Sequence, residues 1–398
     1  MPATPDVTAA SDATYAARVR GLGTTVFAEM SALAQRTGAV NLGQGFPDTD
    51  GPPEVVEAAV RALRSGRHNQ YAPGPGVPAL RESIATHQHV RYGLGVDPDG
   101  GEVVVTTGAT EAVAAALLGL VDPGDEVVVL EPYYDSYVAG IQMAGGVRRP
   151  VTLRAPDFRL DTDALHAAVS PRTRLVLLNS PHNPTGTVLT RAELAAVAEV
   201  AVEHDLVVVT DEVYEHLVFD GAEHVPIATL PGMAGRTLTI GSAGKSFSFT
   251  GWKVGWATGP RHLVGALTAA KQFLTFTSGA PLQPAVAVAL SLPERVLLDL
   301  RDDLQRRRDL LCSGLADLGF GVHVPQGTYF ATTDVRPLGY NDGVEFCRDL
   351  PTRAGVVAIP HQVFYDDVEA GRSLVRWAFC KRDEVLREAL DRLARAFA

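Results

Sequence analysis

The sequence predicts an α/β protein with a mainly parallel central sheet, helices on both faces, and a smaller α+β unit. Three observations carry that expectation. Runs of Val, Leu and Ile at 103–105, 127–130, 175–178 and 207–209 do not alternate with polar residues, as expected of strands buried on both faces. Helical stretches separate these runs, the arrangement of helices on both sides of a sheet. After about Leu292 the texture changes to one long charged helix, several short strands and a terminal helix.

Taken in order, residues 1–20, rich in Ala, Thr, Asp and Pro, read as a loose arm. VFAEMSALAQR carries a helical pattern that stops at Gly38, and Asn41 to Pro53 is turn chemistry dense in Gly, Pro and Asp. EVVEAAVRALRSG resumes as a helix ending at Gly66. From Glu102, strand-like EVVVTT, DEVVVLE, RLVLLNS, DLVVVTD, TLTIGS and VGWATG are interleaved with helical GATEAVAAALLGLV, YYDSYVAGIQMAG, RAELAAVAEVAVEH and HLVGALTAAKQFL. ERVLLDLRDDLQRRRDLLCSGLADLG then reads as a helix. Short strands are expected in VHVPQGTYFATTDV, GVVAIPHQVF and LVRWAFC, and a last helix in DEVLREALDRLARAFA. The expected division is an arm over 1–20, a large unit over 48–291, and a small unit assembled from 21–47 and 292–398.

Composition removes several function classes. With 46% hydrophobic and 20% charged residues, the 398-residue chain can bury a large core. A net charge of −11 and the lack of a basic run argue against a nucleic-acid partner. There is no continuous apolar stretch long enough to span a membrane and no secretory signal. Cys312, Cys347 and Cys380 are widely spaced, which excludes a disulfide framework and a CxxC metal site and fits a reducing, cytoplasmic setting. No metal is expected.

Ligands of open α/β sheets sit at the carboxyl ends of the strands. Here those ends read TTGATEA, EPYYDSY, NSPHNPTG, TDEVYEH and GSAGKSFSFTGWKVG. Gly108, Ala109 and Thr110 stand where a strand hands over to a helix, with backbone N–H groups available to an anion. Ser242 and Lys253 would complete a phosphate seat without Walker spacing. A structural turn would explain the GAT on its own equally well. Asp211, ending VVVT, is either a helix N-cap or the partner of a protonated aromatic nitrogen. Tyr214 and Asn183 suit a phenolate-like oxygen, and Tyr134 either stacks on a flat ring or is core. Lys245 lies between a buried strand and a Gly/Ser/Phe loop, eight residues before Lys253. Desolvation and a second cation both lower an amine pKa, as a Schiff-base lysine requires.

With those residues in view, the chain resembles a known family. NLGQGFPD, NQYAPGPG, GATEA, EPYYDSY, NSPHNPTG, TDEVYEHLVFD, SAGKSFSFTGWKVGW and LVRWAFCK together look like class I/II aminotransferases of the pyridoxal phosphate fold type I. The resemblance spans about residues 20–396 and is nearest the branch of kynurenine/glutamine-type transaminases and actinobacterial N-succinyldiaminopimelate aminotransferases. It implies pyridoxal 5'-phosphate as cofactor, held by Lys245 as a Schiff base, with Lys245 then shuttling a proton. Asp211 would pair with the ring nitrogen, Tyr214 and Asn183 would hold the ring hydroxyl, and Tyr134 would stack on the ring. Gly108, Ala109, Thr110, Ser242 and Lys253 would take the phosphate, joined by Tyr71 from the other subunit of a homodimer. Arg376 would clamp the substrate carboxylate, helped by the backbone of Gly45 and by Asn183. Two departures stand out. Lys253 replaces the commoner Arg, which keeps a point charge. His182 replaces an Asn in NSPHNPTG and reads as a loop hydrogen-bonder rather than a catalyst.

The resemblance implies transfer of an amino group between an L-amino acid and a 2-oxo acid such as 2-oxoglutarate. Phrases such as TTVFAEMSALA and SPHNPTG point to N-succinyl-LL-2,6-diaminopimelate as the donor. A broad methionine, glutamine, kynurenine or aromatic transaminase is the alternative, in which Phe27 lines an apolar pocket, helix-core packing being an equal reading of that residue. A C–S β-lyase is a further alternative on the same cofactor. A cofactor-sensing regulator would need an added DNA-binding unit, and only about 20 residues precede the fold. A long acidic substrate would call for a second cation besides Arg376, Arg20 being one candidate.

Overall fold

A computed structural model describes residues 14–23 and 25–397. Most of the expected arm, residues 1–13, lies outside the described residues. Residues 17–19 form a single 3-10 turn, and the carbonyl of Arg20 accepts a hydrogen bond from Gln142 at 2.9 Å.

The first part of the chain runs α1 (Val26–Thr37), β1 (Val40–Asn41), α2 (Pro53–Arg64) and α3 (Pro78–Tyr92). It continues β2 (Val103–Thr106), α4 (Gly108–Leu120), β3 (Glu126–Glu131), α5 (Asp135–Ala144), β4 (Val147–Thr152), α6 (Thr162–Ala168), β5 (Thr173–Asn179) and α7 (Arg191–Glu203). Then come β6 (Val207–Asp211), β7 (Thr237–Ser242), α8 (Ala243–Ser246), β8 (Gly255–Thr258), α9 (Arg261–Lys271), α10 (Gln283–Leu290) and α11 (Glu294–Asp317). The last part holds β9 (Gly321–His323), β10 (Phe330–Asp334), α12 (Gly343–Arg353), β11 (Val356–Val357), β12 (Ile359–Pro360), β13 (Leu374–Ala378) and α13 (Asp383–Phe397).

Seven strands form the main sheet in the order β2-β8-β7-β6-β5-β3-β4. The β3-β4, β3-β5, β5-β6 and β6-β7 pairs are parallel, and β8 runs antiparallel to both its neighbours. Because side chains alternate across a strand, one apolar run feeds two cores. Val128, Leu130, Val176, Leu178 and Val208 meet α6 and α7 on one face. Val127, Val129, Leu175, Leu177 and Val209 meet α4, α5 and α9 on the other. That two-sided burial is why the sequence shows runs rather than alternation.

The second unit has an antiparallel sheet in the order β12-β13-β10-β9. The early segment joins it. β1 pairs in parallel with β11, and Met30, Ala34 and Leu42 share a core with Trp377, Phe346 and Leu386. α1 starts with the Thr25 side chain accepting from Ala28 N and ends at Gly38, whose positive φ of 64° turns the chain into β1. The sequence pattern passed over several elements, among them α3, α12, β4, α6 and α10. β4 reads VRRPVT and is exposed or half-buried over much of its length, so no continuous apolar run marks it. α6 is only seven residues long, and α10 reads as an apolar stretch without a polar face. Among the described residues no helix is long and apolar enough to cross a membrane. All three cysteines are buried and free, and burial pushes the Cys312 thiol up to about 12 and that of Cys380 to about 11.

Candidate active site

The carboxyl ends of β2, β3, β5, β6 and β7 open on one cavity of about 440 Å³ at the seam with the second unit. Gly108, Ala109, Thr110, Tyr134, Asn183, Asp211, Tyr214, Ser242, Lys245, Lys253, Gly45, Phe27 and Arg376 all line it. Of the site residues expected from the sequence, Tyr71 and Arg20 lie elsewhere, as does the loop residue His182. Tyr71 is 83% exposed, with its ring edge-on to Phe276. Arg20 is exposed and donates to the carbonyl of Tyr15.

At one end lies an anion seat. α4 begins at Gly108, whose φ of +74° few other residues adopt. A side chain at Gly255 on β8 would come within 2.6 Å of the Gly108 carbonyl carbon, so strand and helix start are in close contact. The Lys253 amine stands beside this turn, 3.2 Å from where a Gly108 Cβ would project. Ser242 accepts from Gly244 N at 3.1 Å, closing the far side. First-turn N–H groups, a hydroxyl and a cation suit a phosphate.

In the middle of the rim stands Asp211, with Tyr137 donating to one carboxylate oxygen at 2.7 Å and Val213 N to the other at 3.3 Å. No helix follows, because residues 213–216 are turns, so the N-cap reading of Asp211 gives way to a ligand-facing one. Burial pushes its carboxyl above the ordinary range, and the Tyr137 hydrogen bond opposes the shift. A buried carboxylate of this kind is stabilised by a cationic or N–H partner. Asn179 fixes the adjacent loop, donating to the Asp211 carbonyl at 2.8 Å and accepting from Asn183 N at 2.7 Å. Burial raises Tyr134 to about 12 and moves Tyr214 upward too, so both phenols stay protonated donors.

Lys245 projects from α8 toward Tyr329, whose hydroxyl accepts from Nζ at 2.7 Å. Burial lowers its amine to about 8, with Lys253 and Arg376 adding to that effect. Behind it, Ser246 Oγ lies 2.9 Å from His216 Nδ1, and His216 Nε2 lies 3.0 Å from His87 Nε2. Glu215, which accepts from Tyr92, completes a buried polar plug under α8. His87, Glu215 and His216 bring ligand atoms within 4.8 Å of one another, but the two ring nitrogens already face each other across a hydrogen bond.

Arg376 on β13 is 1% exposed. It donates through Nη1 to Asn183 Oδ1 at 3.1 Å and through Nη2 to the Gly43 carbonyl at 2.9 Å, while Nε is buried without a partner. Phe330, Phe27 and Phe364 surround the guanidinium, with ring centres 3.9, 5.0 and 5.2 Å from Cζ. Burial lowers it to about 10, which leaves it cationic at neutral pH. A held guanidinium with free donor capacity suits a carboxylate. The Gly45 carbonyl, by contrast, accepts from Tyr329. His182 is a loop hydrogen-bonder as expected, with Nδ1 2.8 Å from Thr185 Oγ1 and burial pushing it down to about 3.

The donor set therefore fits a flat, phosphate-bearing heterocycle with a basic ring nitrogen. The anion seat, the ring-facing carboxylate and the low-pKa amine surround one cavity, and a separate carboxylate clamp stands beside them. Sequence reasoning missed Tyr137, Asn179, Phe330 and Tyr329. Tyr137 had a signal, lying one helical turn after Tyr134. Tyr329 had none, since only the tertiary fold brings it to Lys245.

Comparison with known proteins agrees with this geometry. Residues 37–393 match the family Aminotransferase class I and II. A probable N-succinyldiaminopimelate aminotransferase of Mycobacterium tuberculosis is 55% identical over 388 residues, covering 95% of this chain and 97% of the relative. A methionine aminotransferase of Escherichia coli is 41% identical over 372 residues, covering 94% and 96%. The solved structure of N-succinyldiaminopimelate aminotransferase from Mycobacterium tuberculosis superposes with a TM-score of 0.93 at 55% identity, covering 96% of this chain and all of that one.

Proposed function

The chain belongs to the class I and II aminotransferases, with pyridoxal 5'-phosphate as cofactor, and within that family we propose that it moves an amino group between N-succinyl-LL-2,6-diaminopimelate and 2-oxoglutarate. The observation that carries the substrate is the 55% identity, over nearly the whole of both chains, to a relative bearing that name. When bound, the cofactor supplies an electron sink that stabilises negative charge at the substrate Cα.

The residues do the rest. Gly108, Ala109, Thr110, Ser242 and Lys253 would hold the phosphate. Asp211 would keep a proton on the ring nitrogen, Tyr214 and Asn183 would donate to the ring hydroxyl, and Tyr134 would cover the ring. Arg376 binds the substrate carboxylate, with Asn183 steering its fork. Lys245 withdraws the Cα proton. Fixing the carboxylate beside an aimed base contributes through orientation, an effect worth up to about 7–11 kcal/mol in favourable cases.

We also propose a homodimer in the cytoplasm, built from a small unit (21–47 and 292–398) and a large one (48–291). An apolar surface supports the dimer. Phe273 is 85% exposed and Tyr71 83%, and Leu274 and Phe276 are half-exposed beside them. Between those residues Thr275 donates to Glu111 on α4, so this surface adjoins the anion seat. Sedimentation is expected to give about twice 42.2 kDa. A monomer at working concentration would remove Tyr71 from the site.

A second reading has its own observation. Phe27 lines the cavity, and a recess beyond it has apolar walls at Val26, Met30, Val138, Val363 and Phe364, with Glu29, Asp135 and Arg348 also lining it. Methionine or an aromatic side chain would suit such walls. The deciding experiment is competition at equal concentrations of N-succinyldiaminopimelate, methionine and kynurenine, with 2-oxoglutarate as acceptor. The expected result is a kcat/KM at least tenfold higher for the succinylated substrate. A preference for methionine would overturn that assignment, and release of pyruvate from cysteine conjugates would identify a β-lyase.

A further inference from the structure

We propose that Tyr329 is a positioning residue for Lys245, and that through the Gly45 carbonyl it ties the aim of the amine to the loop that holds Arg376. The phenol has one proton, and Tyr329 donates it to the carbonyl of Gly45. Its lone pairs therefore face Lys245, whose Nζ donates to it at 2.7 Å. The same short loop supplies the Gly43 carbonyl to Arg376 Nη2 at 2.9 Å. One three-residue turn thus touches the carboxylate clamp at one end and the base, through a single oxygen, at the other.

Nothing in this chain of contacts is loose. Asn41 Oδ1 accepts from the backbone N–H of Gly43 and Gln44, and the Gln44 amide donates to Ser31 Oγ at 2.6 Å. A side chain at Gly45 would come within 2.3 Å of the Phe330 ring and 3.0 Å of the Tyr329 ring, so the turn lies flat against both. Tyr329 is 1% exposed, its ring edge-on to Tyr214 and to Phe330, and its carbonyl accepts from Phe379 N at 3.0 Å. Phe330 in turn stacks under the Arg376 guanidinium. A carboxylate that draws on Arg376 acts on Gly43 and Phe330, and both contact the elements that hold Tyr329.

The charged and titratable groups facing Lys245 are Asp211 from β6, Lys253 from the turn before β8, Arg376 from β13 and Cys380 just after it, with the Tyr214 ring alongside. Against that background the Tyr329 oxygen acts as an acceptor that favours the ammonium form. Removing it lowers the amine pKa and frees the amine to swing away from its aim.

The test is Tyr329→Phe, which keeps the ring and deletes one oxygen. Transamination kcat is expected to fall about ten- to a hundredfold, the range of a hydrogen bond to a charged group. KM for the amino acid should change less than about threefold, and the acid limb of the kcat–pH profile should move to lower pH. A second readout does not depend on turnover. In cofactor-free protein, the pH midpoint for acylation of the Lys245 amine should also fall. That measurement stands even if the assigned transamination is wrong, so the two failures are distinguishable. A variant with unmoved pH limb and unmoved acylation midpoint would overturn the proposal, whether or not its kcat had dropped.

Discussion

Lys245→Ala is expected to lower the rate of amino-group transfer from glutamate by about 10²–10⁴ or more, the range attributable to a positioned general base alone. The variant should still bind the cofactor, because the anion seat and Asp211 stand on other elements. Single-turnover absorbance of the bound cofactor after mixing with glutamate measures the loss directly. Lys245→Arg separates charge from basicity, since a guanidinium keeps the cation but cannot deprotonate at working pH. The two variants should be equally impaired, and an Arg variant within tenfold of wild type would remove the base role. The pH profile carries the same logic. Burial brings the Lys245 amine down to about 8. A base acts only when neutral, so turnover should climb as pH rises toward that value and level off above it.

Much of this site was legible in the sequence because one topological rule gathers it. In an open α/β sheet the strand ends converge, so Thr110, Tyr134, Asn183, Asp211, Ser242 and Lys245, scattered over 136 positions (245 − 110 + 1), become neighbours. Burial on both faces gave the strands their continuous runs, and capping residues such as Thr25 and Gly38 marked the helix that enters the second unit. The resemblance then supplied Arg376, which no strand-end argument reaches. It lies inside β13 of the second unit and reaches the cavity only through the tertiary fold, which sets it beside Asn183.

Legibility failed where a role depends on packing between the two units. Tyr329 precedes β10 and looks in the sequence like any strand aromatic, yet its hydroxyl reaches both Lys245 and Gly45. Gly45 was expected to serve the substrate carboxylate through its backbone. Its carbonyl accepts from Tyr329, which leaves that expectation untouched because a carboxylate would draw on the N–H, and Gly43, two residues earlier, supplies the carbonyl that meets Arg376. Which carbonyl of a Gly-rich turn meets which side chain leaves no mark on periodicity or composition. β4 escaped notice for a related reason. It lies at the edge of the main sheet, with Arg148 and Arg149 in its middle, and edge strands need no apolar run.

Arg376→Ala is expected to reduce kcat/KM for amino acids by about 30- to 5,000-fold, corresponding to loss of a buried, hydrogen-bonded charge partner worth about 2–5 kcal/mol. The side chain is held between Asn183 and Gly43 before any substrate arrives, so little orientation remains to be imposed on binding. Arg376→Lys should recover only part of the loss, because an ammonium offers a point charge where the guanidinium offers a planar fork. The aromatic rings of Phe27, Phe330 and Phe364 favour that planar cation as well. A control makes the result specific. A simple alkylamine, which carries no carboxylate, should react slowly with the wild type and at an unchanged rate with the variant. If Arg376→Ala slowed the alkylamine as much as the amino acid, the arginine would be supporting the fold of the site rather than recognising a carboxylate. If it slowed neither, the clamp would have to be sought at another cation lining the cavity, of which Lys253 is already engaged beside the anion seat.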